Sequence, residues 1–298
     1  MNEIKLIALY YYICERYDTT LYPYCQRHTK NHRVADFTDE ELLTIYLFTM
    51  IEEDHFKIKA IHRYAQKYLI SWFPRLPSYQ AFNRRLNHLG DALWVLMCDL
   101  LKTYRQSAMA SVELGQVAVD SFPIILAKNQ RGDRAKVAVA IADKGRCASK
   151  GIWYHGLKLH CLALLRPGQL PLALDLLLSA ASENDNTVFK EQMAPAYRHL
   201  TVFADKIYDD VPSVNHLAEQ QNIQLLAGQR RRPYQKALKA DQKILSDYVS
   251  RKRQPIESFF NWLIETAHIQ VASKVRSLKG LLVFIYGKLA AAFLKATF

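Results

Sequence analysis

Apolar and polar positions recur along this chain with two different periods, and the change falls near residue 107. Before it, apolar residues return at helical spacing. Residues 4–17 form an apolar segment rich in tyrosine. Thr38-Asp39-Glu40-Glu41 has the form of a capping box, in which a hydroxyl and a carboxylate satisfy the first free N–H groups of a helix, ahead of Leu42, Leu43, Ile45, Tyr46, Leu47 and Met50. A third helix is predicted over 57–72, ending before Pro74 and Pro77. Ser78 caps a fourth over 79–87, with Phe82, Leu86 and Leu89 as its buried stripe, and 91–105 reads as a further amphipathic helix.

Beyond a junction at about 106–113 the pattern is strand-like. Gln116-Val117-Ala118-Val119-Asp120-Ser121-Phe122 predicts a buried strand, 157–165 and 170–178 predict two more joined by a Pro167-Gly168 turn, and 201–205 and 223–227 predict a fourth and fifth. Helical stretches at 187–197 and 212–221 precede the last two. Hairpin strands first and strands alternating with helices afterwards predict a mixed α/β sheet covered by helices, behind an all-helical front end. The expected domains are residues 1–106 and 107–298. No internal repeat or low-complexity segment interrupts them.

Composition narrows the class. Half of the 298 residues are hydrophobic and 23% are charged, as in a soluble globular protein. The apolar tail is interrupted by Lys288 and Lys295, and the N-terminus has no small-residue cleavage site, so a cytoplasmic protein with no membrane partner is expected. Five cysteines without a Cys-x-x-Cys pair argue against zinc knuckles and a disulfide framework. The formal charge of +12 is uneven: +2 over residues 1–106, zero over 107–227 and +10 over 228–298. A basic quarter of this kind suits a polyanion, since each Lys or Arg that meets a phosphate releases a condensed counterion; a solvated basic face is the plainer alternative.

Two acids then stand out. Asp120 lies in a segment apolar on both sides, where an ionised carboxylate is costly unless it sits at an exposed strand end, is paired, or holds a cation. Asp205 repeats this after Val202-Phe203-Ala204. If the two strands are neighbours, the like charges repel, and a divalent cation resolves the conflict. Glu257 is a third candidate. With Pro255 near the first helical position it falls in a first turn, where the helix dipole favours any Glu, so a capping role competes with a role in the site. The apolar face behind it, Ile256, Phe260, Leu263, Ile264 and Ala267, must pack on something, most simply the sheet. Asp209, Asp210, Asp241, Asp247 and Glu265 read as surface charges or caps, with Glu265 the first substitute for Glu257. His155 and His160 lack the helical spacing of a metalloprotease pair and read as hydrogen-bonded structural residues.

The order Asp120, Asp205, Glu257, with separations of 85 and 52 residues, resembles the DDE transposases of bacterial insertion sequences. The likeness is carried by Val119-Asp120-Ser121, by Ala204-Asp205-Lys206-Ile207-Tyr208-Asp209 and by Arg253-Gln254-Pro255-Ile256-Glu257-Ser258-Phe259-Phe260. Tyr154-His155-Gly156-Leu157-Lys158-Leu159-His160 also looks like the strand that family sets beside its first. Within the group, the chain resembles the insertion-sequence family numbered nine hundred and eighty-two. Many relatives carry a Tyr before the Arg and a Lys after the Glu of the third signature; Ser250 and Ile264 stand at those spacings here. The resemblance implies an RNase H-like catalytic domain in which Asp120, Asp205 and Glu257 hold two Mg2+ ions, with Mn2+ as a substitute. It also implies cleavage at transposon ends and strand transfer into target DNA. Magnesium prefers hard oxygen donors, so carboxylates suffice where zinc would want His or Cys.

On that reading the basic residues have a substrate. Arg230, Arg231, Arg232, Arg251, Lys252 and Arg253 flank the third acid, where double-stranded DNA must pass. Lys206 is open between a DNA contact and a surface pair. Gln80, Asn83, Arg84 and Asn87 on the fourth helix carry the side-chain types that hydrogen-bond base edges in the major groove, as in helix-turn-helix domains. Terminal inverted repeats come in pairs, so a homodimer is expected. Two other readings stay open: a non-catalytic DNA-binding regulator with a degenerate RNase H-like domain, and a nuclease that does not join strands.

Overall fold

A computed structural model describes residues 2–25, 36–109, 115–128, 131–147, 151–229, 231 and 234–297. In chain order the helices α1 (Glu3–Arg16), α2 (Tyr22–Cys25), α3 (Asp39–Glu53), α4 (Ile58–Tyr64), α5 (Tyr79–Leu86) and α6 (Gly90–Met109) come first. Strands β1 (Gln116–Lys128), β2 (Asp143–Cys147), β3 (Ile152–Leu164) and β4 (Leu172–Ala180) follow, then α7 (Asp185–Val188), β5 (Thr201–Ala204), α8 (Val211–Gln221) and β6 (Gln224–Ala227). The chain closes with α9 (Ala240–Ala267) and α10 (Leu278–Thr297).

Two compact units result, one of Met1–Thr103, Glu265–Ile269 and Val275–Phe298, the other of Tyr104–Ile264 and Gln270–Lys274. In this division the last helix belongs with the first six. In the helical unit α3 is central and buried from Leu42 to Met50 on every side, which explains why its sequence shows an apolar run where an outer helix shows a stripe. Thr38 and Glu41 form the capping box, with Glu41 N–H donating to the Thr38 hydroxyl at 3.2 Å and Thr38 N–H to the Glu41 carboxylate at 2.6 Å. Helix α10 is 20 residues long and apolar enough to cross a membrane by length and composition alone, so the two lysines do not break the run as the sequence suggested. Its apolar residues Leu281, Val283, Ile285, Leu289 and Phe293 are buried inside the unit. Gly287 brings α10 against the Tyr46 ring, which an added Cβ would approach to 2.5 Å, while the Tyr46 hydroxyl donates to the Val283 carbonyl at 3.3 Å.

The second unit is built on a six-stranded mixed sheet. Its order is β2-β3-β1-β5-β6, with β4 on the same edge of β3 as β2 but farther along the strand. β1 pairs antiparallel with β3, whereas β1, β5 and β6 run parallel. One face carries Val117, Val119, Val202, Leu162 and Leu225 into a core closed by Phe189, Met193 and Leu217. The opposite face meets α9 through Phe122 on Phe260, with ring centroids 4.9 Å apart, and Phe203 on Tyr248 at 5.9 Å. Alternation along β1, up to an irregularity after Ile125, produces both faces from one strand.

One strand is unforeseen and two local expectations change. β2 has the sequence Asp-Lys-Gly-Arg-Cys, with no apolar alternation, and is a strand only because it pairs with β3. The helix expected over 187–197 is short, and gives way to a wider turn at Phe189–Met193 and a tighter one at Ala194–Ala196, where Pro195 has no N–H to donate. α9 begins at Ala240 rather than at Pro255, which therefore lies inside the helix. Gly156 keeps β3 against β1: a Cβ there would sit 2.1 Å from the Ile124 carbonyl oxygen, a backbone atom that cannot step aside. Gly156→Ala is expected to destabilise the protein by about 2 to 3 kcal/mol, the cost of a forced clash in a packed interior, read as a lower urea midpoint with unchanged slope.

Candidate active site

Where β5 ends, β1 runs on beside β3. The parallel register pairs Val117 with Val202 and Ala118 with Phe203, and Asp120 and Asp205 each follow the last pair by two residues. Both acids thus stand at one level of neighbouring strands. Asp120 is mid-strand, which removes the strand-end alternative and leaves pairing, here with Arg253; it gains access because β5 stops next to it. Its side chain is 22% exposed.

Helix α9 supplies the other half. Arg253 and Glu257 are one turn apart on a continuous helix, so they share a face, and the Arg253 Nη2 donates to Glu257 Oε1 at 2.7 Å. Its Nη1 donates to Asp120 Oδ2 at 2.5 Å. One guanidinium therefore joins the first and third predicted acids. The position of Glu257 deep within α9 removes the first-turn capping role that competed for it. Asp205 Oδ1 accepts from the Lys206 N–H at 2.7 Å and caps a short helical turn, and its charge acts on Asp120.

Burial pushes the Asp120 carboxyl up to about 6. The Arg253 guanidinium and the Ser121 N–H oppose the rise, while the charges of Asp185 and Asp205 add to it. Asp120 thus feels two neighbouring negative charges as well as the positive one it is paired with. Asp185 was not singled out in the sequence. It follows β4, accepts from the Ser121 hydroxyl at 3.1 Å and pairs with Lys158 at 2.8 Å. Its only signal, Asn184-Asp185-Asn186, is that of an ordinary helix start, and Asn184 does cap α7. Tyr208 stands in the string that carries the second acid, but nothing in that string gives its side chain a role. Its hydroxyl is fully buried with no hydrogen-bond partner among the described residues, and the charges of Asp185, Asp120 and Asp205 all reach it.

The other predicted residues divide between the units. Gln80, Asn83, Arg84 and Asn87 lie on one face of α5 in the helical unit; Arg84 and Gln80 are exposed. Arg85 beside them is structural, bonded to Asp39 at 2.7 Å and to the Phe37 carbonyl at 2.5 Å. Lys252 reaches Gln116 Oε1 at 3.2 Å, and Arg251 donates to the Asp247 carbonyl at 3.4 Å from one turn away. Lys206 is exposed beside Asp205. Arg231 is exposed, with Arg230 and Arg232 outside the described residues. His155 is held by the Val137 carbonyl at 2.9 Å and His160 by the Ser179 hydroxyl at 2.8 Å, while burial lowers His160 to about 4 and keeps it neutral.

Among the described residues no three His, Cys, Asp or Glu side chains are gathered closely enough to enclose an ion as they stand. The donor set nonetheless fits a hard divalent cation in kind. It offers carboxylate oxygens, neighbouring negative charges and an orphaned buried hydroxyl, and the space between Asp120 and Glu257 is already taken by a cationic group.

A family model described as a transposase DDE domain matches residues 113–294. No curated protein and no solved structure matches the chain. The matched segment takes in both strands and the helix that carry Asp120, Asp205 and Glu257, and it spans more than half of the 298 residues. The chain belongs to the DDE transposase family.

Proposed function

We propose that this transposase mobilises an insertion sequence of the kind numbered nine hundred and eighty-two, cutting double-stranded DNA at terminal inverted repeats and joining the freed ends to target DNA. The observation that carries the reading is the meeting of Asp120 and Glu257 on one guanidinium, with Asp205 level with Asp120 on the adjoining strand. Asp120, Asp205 and Glu257 would hold two Mg2+ ions, or Mn2+ in their place. When bound, such ions activate an attacking oxygen and neutralise charge on the leaving one, which serves both hydrolysis and strand transfer.

The chain's own residues supply the rest. Asp120 is fixed by β1, Asp205 by the turn that directly follows the parallel strand β5, and Glu257 by a helix packed on the same face, so the acids are positioned on or beside rigid elements. Arg251, Lys252, Arg253, Arg230, Arg231, Arg232 and Lys206 would bind backbone phosphates, and Gln80, Asn83, Arg84 and Asn87 would read the terminal repeat. The functional domains are proposed as an end-recognition domain within residues 1–106 and a catalytic domain within 107–298. A homodimer would pair the two ends, acting at the nucleoid in the cytoplasm.

Supercoiled DNA carrying the element's ends tests the cleavage step, and a precut end with a free 3′-hydroxyl tests joining. Asp205→Asn and Glu257→Gln are each expected to lower both steps by about 1,000-fold, equivalent to about 4 kcal/mol of barrier, with DNA affinity within a few-fold of wild type. Nicking without joining would assign a plain nuclease, and binding without either would assign a regulator. Full activity of one variant would remove that residue from the site.

A further inference from the structure

Both oxygens of Asp120 already accept a hydrogen bond, Oδ1 from the Ser121 N–H at 2.8 Å and Oδ2 from Arg253 at 2.5 Å. Glu257 Oε1 accepts from the same guanidinium at 2.7 Å. Arg253 is only 16% exposed, whereas Glu257 is 55% exposed, so the fork reaches inward from the helix and covers Asp120. A cation seeking these oxygens meets a charged group of its own sign already seated between them. It can take the inner pair of oxygens, Asp120 Oδ2 and Glu257 Oε1, only if the guanidinium lets go.

We infer that Arg253 is a displaceable counter-cation, seated between Asp120 and Glu257 until a DNA phosphate draws it away and a divalent ion takes its place. This rests on the reading of Asp120 and Glu257 as metal ligands. A guanidinium suits the exchange because its planar fork matches carboxylate and phosphate equally, and it stays charged throughout. Its neighbours Arg251 and Lys252 bring phosphates to this turn of α9. Without DNA, release would leave Arg253 close to an incoming cation with no anion to receive it. With DNA, the phosphate receives it. Metal and DNA therefore bind with positive coupling, and by reciprocity each strengthens the other equally. The arrangement keeps a nuclease centre weakly loaded until its substrate is present.

Titration with Mn2+, followed by the electron paramagnetic resonance of the free ion, tests this without any turnover. The proteins are the full-length wild type, Arg253→Gln, Arg253→Lys and each of these with Asp120→Asn, alone and saturated with a DNA duplex. Wild type is expected to bind Mn2+ about 10-fold more tightly on DNA, a coupling of about 1.4 kcal/mol. Arg253→Gln is expected to bind it at least as tightly without DNA as wild type does with it, and to show no further gain. Arg253→Lys keeps the charge but loses the fork, and is expected to fall between; it also serves if the glutamine variant does not fold. Equal Mn2+ affinity of wild type with and without DNA, or no tightening in either variant, overturns the inference. If Mn2+ binding in every protein ignores Asp120→Asn, the assignment of the ligands is what fails.

Discussion

Asp120→Asn is expected to abolish DNA cleavage and strand transfer while making the folded protein more stable. The rate loss should be about 1,000-fold or more, since the substitution removes the anionic ligand at the centre of the proposed site and nothing else of its shape. The gain in stability has a separate origin. Burial holds the Asp120 carboxyl up at about 6, above the ordinary 3.8. A carboxyl raised in this way is most favourable to the fold below the unfolded value. That contribution is lost as pH rises from about 4 to about 6, so the ionised group is a burden at pH 7. The amide never ionises, and a gain of roughly 3 kcal/mol at pH 7 is expected, vanishing below pH 4. Thermal melts at pH 7 and pH 4, run beside the cleavage assay, separate the two effects. A variant that still cuts DNA in Mg2+ would remove Asp120 from the chemistry. One that cuts nothing and melts lower at pH 7 would make it a structural residue.

Lys288→Met is expected to flatten the pH dependence of stability between pH 7 and pH 9. Lys288 is 3% exposed in the middle of α10, and its Nζ donates to the His268 carbonyl at 2.8 Å just past the end of α9. Aromatic rings of Phe284 and Phe56 lie 4.0 and 5.2 Å from it. Burial lowers its pKa to about 7 from 10.5. Below the folded value both states carry the proton and the buried charge weighs fully against folding. Between about 7 and 10.5 the unfolded chain holds a proton that the folded one has released, so stability rises with pH across that window. From pH 7 to pH 9 the rise attributable to this lysine is about 2 kcal/mol. Urea unfolding of wild type and variant at both pH values isolates it, because the other titrating groups are common to the two proteins. Parallel pH profiles would show that Lys288 stays charged, held by its carbonyl and its rings.

Much of this organisation was legible in the residues, and what escaped did so for identifiable reasons. The capping box at Thr38 and the strand around Val119 are local devices, decided by neighbours within a few positions, and both stand where the spacing put them. Pro255 predicts a helix start there, because a proline inside a helix forfeits a hydrogen bond and costs about 3 kcal/mol. Here Val249, Ile256, Phe259, Leu263 and Ala267 are all buried along one helix, and that burial outweighs the proline. The misplaced start mattered, since it cast Glu257 as a possible cap and hid that Arg253 stands one full turn before it. Asp185, and the role of Tyr208, escaped for the opposite reason: only the folding together of distant segments sets their side chains within reach of Asp120.

The chain alone determined that helices come first and a mixed sheet second, that two buried strands each carry an acid, and that positive charge collects in the last quarter. These are consequences of periodicity and composition, which act residue by residue. Only the tertiary structure decided that Arg253 lies between Asp120 and Glu257, that β5 stops beside Asp120, and that the last helix joins the first six. Such facts depend on which surfaces cover one another. Burial is shared between segments far apart in sequence, and no single segment carries its partner's address.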